Sequence, residues 1–421
     1  MSGRHNKELP FDDAMLFRKK NVRNIQNNKW AAAEKLWKNY DRNNSFIVLF
    51  NTALFFGLPL SSSVIKTSSN DIGMLEKLWC YVLVALKTVM FIISVTYTYH
   101  FVPALSICVT FYGYIVCGYI TTLLFFRKRK KLYVAIKNLI HFSSVLNPGA
   151  FIGSRYIKLQ LISFFASIFI MMACVTTFFF YELPDYIIQK IYIPPFVDEN
   201  SRESFRNIVR VCIICTFGLS VTTAGYSFIL CCNLYETMGK LIQMYGEKLK
   251  EQCRHMAWNV ATIIDDISIF KNLAFRVYET DKAVNPYVLW LYGALICGFF
   301  NTVSVLVIND VSYKTAPIIV YIVWIFVTAT TVLLVMSYYG SNITDKGDEV
   351  KRQMIEYSDK FIRFSPPLSA MQTFHFLFEL VMKANMVVTG GGVFTVNFGL
   401  ILSIASVMVT YGVLILQLDQ N

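Results

Sequence analysis

Long apolar runs separated by clusters of charge dominate this chain. Eight such stretches can be marked, at about 45–66, 78–98, 104–126, 158–181, 206–232, 287–308, 317–338 and 393–416. Each is longer than a strand, and most exceed the roughly 18 apolar residues that read as a membrane-crossing helix. No segment shows the weak two-residue alternation of a transmembrane barrel. The pattern predicts a helical membrane protein that crosses the bilayer several times.

The polar connections decide the count and the direction. Residues 127–157 carry Arg127-Lys128-Arg129-Lys130-Lys131, residues 233–286 are basic from Lys240 to Lys282, and residues 339–391 from Lys346 to Lys383. The turn at 99–103 has no basic residue, residues 182–205 are mainly acidic, and the linker at 309–316 has only Lys314. Basic connections belong on the cytoplasmic side. From residue 78 onwards the alternation gives seven spans. The segment before residue 45 is basic too (Arg18, Lys19, Lys20, Arg23), which places it inside. Residues 45–66 then cannot cross. Gly57-Leu58-Pro59 and Ser61-Ser62-Ser63 allow a hairpin that dips in and returns. An eighth span is the rival reading.

The fold class expected is an all-α polytopic membrane protein with seven transmembrane helices. Its N-terminus is cytoplasmic, its C-terminus extracellular, and its helices extend far on the inner side. Residues 1–77 form a cytoplasmic region with a re-entrant or interfacial segment, and 78–338 hold six spans. Residues 339–391 form an intracellular anchor, and 392–421 the seventh helix with a short external tail. The plasma membrane is the expected location, with lipids as surroundings, and no cleavable signal is visible at the start.

Composition agrees: 55% of residues are hydrophobic and 16% charged, against about 25% charged in soluble domains. The net charge of +12 sits beside the apolar runs, so it marks topology and not a nucleic-acid partner. The ten cysteines lie mostly within apolar runs, as small buried hydrophobes. The five histidines are scattered, no metal site or phosphate loop is spelled out, and no cofactor or enzymatic activity is expected.

The connections on the basic side read as amphipathic helix: Leu234, Met238, Leu241 and Leu249 recur at helical spacing, followed by Val260, Ile263, Ile267 and Leu273. Such helices lie on the bilayer or join subunits. Within the spans, Lys87 is expected to reach the inner interface with its ammonium group. Polar and aromatic residues gather at the outer level: Tyr112, Thr176, Thr177, Tyr181, Arg210, Asn301, Ser304, Tyr321 and Trp324. They form either an interfacial belt or a pocket open to the exterior. Gly390, Gly391 and Gly392 precede the last run. They are expected to be a flexible hinge, with an anion cradle as the other reading.

The last run ends Thr410-Tyr411-Gly412-Val413-Leu414-Ile415-Leu416-Gln417-Leu418. A glutamine at the end of a lipid span is costly unless the helix faces water or protein. Together with the topology, this ending resembles the insect and arthropod gustatory receptor family, which is related to insect odorant receptors and closes on Thr-Tyr, five residues, then Gln-Phe. Phe56-Gly57-Leu58-Pro59 is similar to an element before the first span in many members. Leu418 stands where the family has Phe, and Gly412 where sugar-type receptors often have Glu.

The resemblance implies a ligand-gated, non-selective cation channel of four subunits, homomeric or mixed, opened by a small-molecule tastant. Thr410, Tyr411, Leu414, Gln417 and Leu418 would then line or gate a central pore. A metabotropic seven-helix receptor is disfavoured by the orientation. A secondary transporter is disfavoured by the lack of internal repeats.

Overall fold

The computed structural model describes residues 45–61, 73–98, 105–146, 156–182, 191–195, 197–255, 259–307, 315–363 and 366–419. The predicted cytoplasmic start before residue 45, the turn at 99–103 and most of the linker at 309–316 lie outside them. The helices are α1 (Ser45–Phe55), α2 (Met74–Thr98), α3 (Leu105–Leu146), α4 (Ile157–Thr177), α5 (Arg202–His255), α6 (Val260–Val307), α7 (Ala316–Arg363), α8 (Leu368–Lys383) and α9 (Phe398–Asp419). The strands β1 (Thr389–Gly390) and β2 (Phe394–Thr395) pair antiparallel just before α9. The all-α polytopic membrane fold expected from the sequence is present. Five helices among the described residues, α2, α4, α5, α6 and α7, are long and apolar enough to cross a membrane.

Four helices run well past the predicted span boundaries. The 54 residues of α5 extend over about 80 Å at 1.5 Å per residue, more than twice a hydrocarbon core of about 30 Å. The continuation is amphipathic, and the extended ends of α5, α6 and α7 pack together with α8. Lys248 and Gln252 of α5 hold the buried Asp266 of α6 at 2.8 and 3.3 Å. Phe361 stacks on Phe374 with ring centres 4.4 Å apart. Burial raises the Asp266 carboxyl above the ordinary range, while Lys248 pulls it back down. This end is called basal below, and the end where α9 finishes distal.

Local chemistry explains where the helices start. Asn259 caps α6 reciprocally with Thr262: the Thr262 amide donates to Asn259 Oδ1 at 2.8 Å, and the Asn259 amide to Thr262 Oγ1 at 3.0 Å. Asn397 accepts from the Leu400 amide at 3.2 Å at the head of α9. Pro366-Pro367 separates α7 from α8, because a residue before proline is pushed out of helical geometry. Pro286, just before the predicted span at 287–308, lies inside the 48-residue α6. The packing of Tyr287 against Phe125 at 4.6 Å helps hold the helix through the missing donor.

Polar residues within the bundle are satisfied locally. Thr216, Ser220, Thr222 and Ser227 each donate to the carbonyl four residues back along α5. Ser94 of α2 pairs with Thr216 at 3.1 Å, and Thr122 of α3 with Thr223 at 3.2 Å. Gly118 lets α3 approach closely: a Cβ there would lie 2.6 Å from that of Ser220.

The segment after α1 gives Lys87 a protein partner. Its side chain is buried, and its ammonium group donates to the Phe56 carbonyl at 3.3 Å. A carbonyl freed at the end of α1 satisfies the cation where lipid would not. The 11 described residues of α1 measure about 16 Å, roughly half a hydrocarbon core.

Candidate ligand cavity and pore helix

A cavity of about 640 Å³ lies between α4, α5, α6 and α7, within the size range of small-molecule sites. Its walls include Phe164 and Met171 from α4, Gly225 from α5, Leu295 from α6, and Trp324 and Thr328 from α7. The site exists because α4 meets α5 at glycines seven residues apart. A Cβ on Gly225 would lie 2.0 Å from the Phe164 ring, and one on Gly218 2.6 Å from the Met172 sulfur. These notches seat two bulky side chains of α4.

Of the nine residues expected to form an outer pocket, only Trp324 lines this cavity. Part of the distal level is filled by packed aromatic rings. Phe217 of α5 stacks on Phe111 at 5.6 Å and contacts Tyr321 at 6.0 Å. Phe178 packs with Tyr321 against Val305, Ile318 and Ile322. Tyr321 is therefore part of an aromatic lid over the cavity, and Trp324 ties the lid to α4 by donating to Ser167 Oγ at 2.9 Å.

The other expected pocket residues go elsewhere. Thr176, Thr177 and Tyr181 are exposed, because the inward stripe of α4 and its final π-helical turn is Met171, Val175 and Phe179. Arg210 is buried, bonded to Asn207 at 3.2 Å, with its guanidinium 5.9 Å from the Phe180 ring centre. Tyr112 reaches the Ser94 carbonyl at 3.5 Å. Asn301 is buried in α6.

Ser304 does not line this cavity. Its hydroxyl pairs with that of Tyr411 at 3.1 Å, while the Tyr411 ring stacks on Phe300 with centres 4.1 Å apart. Through the same contact Tyr411 docks on α6. The inner stripe of α9 is Ile401, Ile404, Met408 and Tyr411, at offsets of three and four. Thr410, Leu414 and Gln417 share the opposite, exposed face. The side chain of Leu418 lies outside the described residues.

The glycine triplet is not a loose joint. Gly391 (φ 63°) and Gly392 (φ 75°) form the tip of the β1–β2 hairpin, in the left-handed region that glycine permits. The hairpin is pinned to α6. The amide and hydroxyl of Thr389 donate to the two carboxylate oxygens of Asp281 at 2.8 and 2.9 Å, and the Gly391 amide to the Asn285 carbonyl at 2.8 Å. No acidic or phosphate ligand is implied, since the Asp281 carboxylate and the Asn285 carbonyl already take these donors.

Asp281, Thr389 and the cavity walls on α4 were missed from the sequence. A usable signal was present in Gly218 and Gly225, and in Ser163 and Ser167 one turn apart in an apolar span. Among the described residues no cluster of His, Cys, Asp or Glu could hold a metal ion.

No protein-family model matches the chain, and no curated protein sequence matches it. Solved structures do. The insect olfactory receptor OR5 from Machilis hrabei is similar over 89% of this chain and 100% of its own, at 11% identity and a TM-score of 0.59. The same receptor in complex with eugenol is similar over 92% of this chain and 99% of its own, at 13% identity and a TM-score of 0.59. The resemblance first read in the closing helix thus extends, as fold, over nearly the whole length: this chain has the fold of an insect olfactory receptor.

Proposed function

We propose that this chain is a subunit of a chemosensory, ligand-gated cation channel, opened by a small molecule bound in the cavity between α4 and α7. The observation that carries this reading is the exposed face of α9. A helix of 22 residues spans about 33 Å, yet it leans on α6 and α7 along one stripe only. Four such helices around a common axis would cover the exposed face and line a pore with Thr410, Leu414 and Gln417. Gln417 would offer polar groups to hydrated cations, and Leu418 an apolar constriction.

The likeness to an olfactory receptor supports a chemosensory role, and the eugenol complex of that receptor supports a small-molecule ligand. The finer reading, a taste receptor of the plasma membrane, rests on the closing motif. The packed basal ends of α5, α6, α7 and α8 are the natural place for subunits to join, with 339–391 as the anchor and 392–421 as the pore segment. Residues 45–61 are read as lying in the interface without crossing it. Ligand binding opens the pore only if it favours one arrangement of α9 over another.

Expression of the chain alone in a heterologous cell, with whole-cell recording, tests the proposal. A cation current whose selectivity or block changes in Gln417→Ala is expected. A ligand-evoked current untouched by that substitution would remove α9 from the pore.

A further inference from the structure

The lining of the cavity says what it admits and from where. Among the described residues it carries no Asp, Glu, Lys, Arg or His. Several of its few polar groups are already engaged. Ser167 accepts from Trp324 at 2.9 Å, Thr331 donates to the Val327 carbonyl at 2.8 Å, and Gln160 accepts from Asn233 at 3.4 Å. A sugar would leave several hydroxyls buried without partners, each costing about 1–3 kcal/mol. An ion would be worse placed still.

The openings are uneven. Towards the distal end Phe178, Tyr321 and Trp324 pack between α4 and α7. Below the Trp324–Ser167 bond the two helices part. Ser163 and Ala166 of α4, with Val327 and Thr331 of α7, line the cavity and are also exposed at the molecular surface. They sit on two apolar candidate spans whose outer faces are bare. In a bilayer those faces meet lipid.

We propose that the cavity fills sideways from the bilayer, through the slot between α4 and α7, and that it selects an uncharged, apolar molecule that partitions into lipid. This rests on the reading of the cavity as the ligand site, but it does not need the pore. A compound at low aqueous concentration would be enriched in the membrane before it enters, and water-soluble sugars and anions would be excluded by the route as well as by the lining.

The full chain reconstituted in liposomes, with the neutral dye aminoanthracene as probe, provides the test. Saturable fluorescence above protein-free liposomes is expected, undisturbed by glucose or benzoate. Ala166→Trp and Thr331→Trp stand on exposed rim positions that the fold tolerates, and should slow dye association about tenfold. Leu295→Trp fills the cavity and should abolish saturable binding. Wild-type association in both rim variants, with Leu295→Trp still blocking, would overturn the lateral route. Displacement by glucose or benzoate would overturn the ligand class, and unchanged binding in Leu295→Trp would overturn the site. Dye binding as expected in a chain that carries no current would refute a homomeric channel and leave this inference standing.

Discussion

The two ends of α9 are held in different ways. At its root, a buried carboxylate takes two hydrogen bonds from Thr389, the hairpin tip is bonded to Asn285, and the backbone at Val396 lies so close to α7 that a Cβ on Gly340 would be 2.2 Å from its carbonyl oxygen. At its distal half, one stacked ring and one hydroxyl pair attach Tyr411 to α6. Charge-assisted bonds in a buried setting are strong and directional. A ring stack tolerates sliding. The root therefore acts as a fixed pivot, and the distal half is the part that can shift with little cost. The Asp281 and Asn285 bonds at the root and the Tyr411 contacts are all on α6, which also lines the cavity through Leu291 and Leu295, so a ligand can reach both ends of α9 through that helix.

The largest effect should come from breaking the pivot. Asp281→Ala leaves the Thr389 amide and hydroxyl without acceptors, at a cost of about 3 kcal/mol. A lowered melting temperature in detergent, followed with a thiol-reactive dye on the buried cysteines, is the expected readout. Asp281→Asn keeps one acceptor oxygen and should lose less. Wild-type melting in Asp281→Ala would mean that the hairpin is held by its glycines and strand pairing alone.

A smaller effect should follow at the distal attachment. Tyr411→Ala removes the stack and the hydroxyl, for about 2 kcal/mol, whereas Tyr411→Phe loses only the hydroxyl pair, about 1 kcal/mol. In recordings, Tyr411→Ala should shift the ligand dose–response more than Tyr411→Phe. Combining Tyr411→Phe with Ser304→Ala should cost little more than either alone, since both remove one bond. Full additivity would show that the two hydroxyls do not act on each other.

Much of this arrangement could be read from the sequence, but unevenly. The spans, the extended basal helices and the exposed face with Thr410, Leu414 and Gln417 follow from periodicity, which reports on single helices. What faces what across helices does not. Ser304 and Tyr411 were assigned to a pocket and a pore, and they turn out to bond each other. Tyr321 was placed in a pocket wall and is part of a packed lid. A polar or aromatic residue at a given depth can line a cavity, seal it or join two helices, and depth alone does not choose. Asp281 was invisible for a related reason: a single carboxylate in an amphipathic stretch looks like surface charge until its partner 108 residues away is known.

The smallest effect on stability, and the sharpest on function, should be at Gln417. Its side chain is exposed on the face away from α6, so Gln417→Ala should change melting by no more than about 0.5 kcal/mol, less than either Tyr411 variant. If the exposed face lines a pore, the same substitution removes a ring of amide groups from the ion path and should alter relative permeability or block. The two Tyr411 variants should instead move the dose–response and leave permeability alone. A swapped result, with Tyr411→Phe changing permeability and Gln417→Ala changing only ligand sensitivity, would mean that α9 turns by about half a revolution on assembly and presents its inner stripe to the ions.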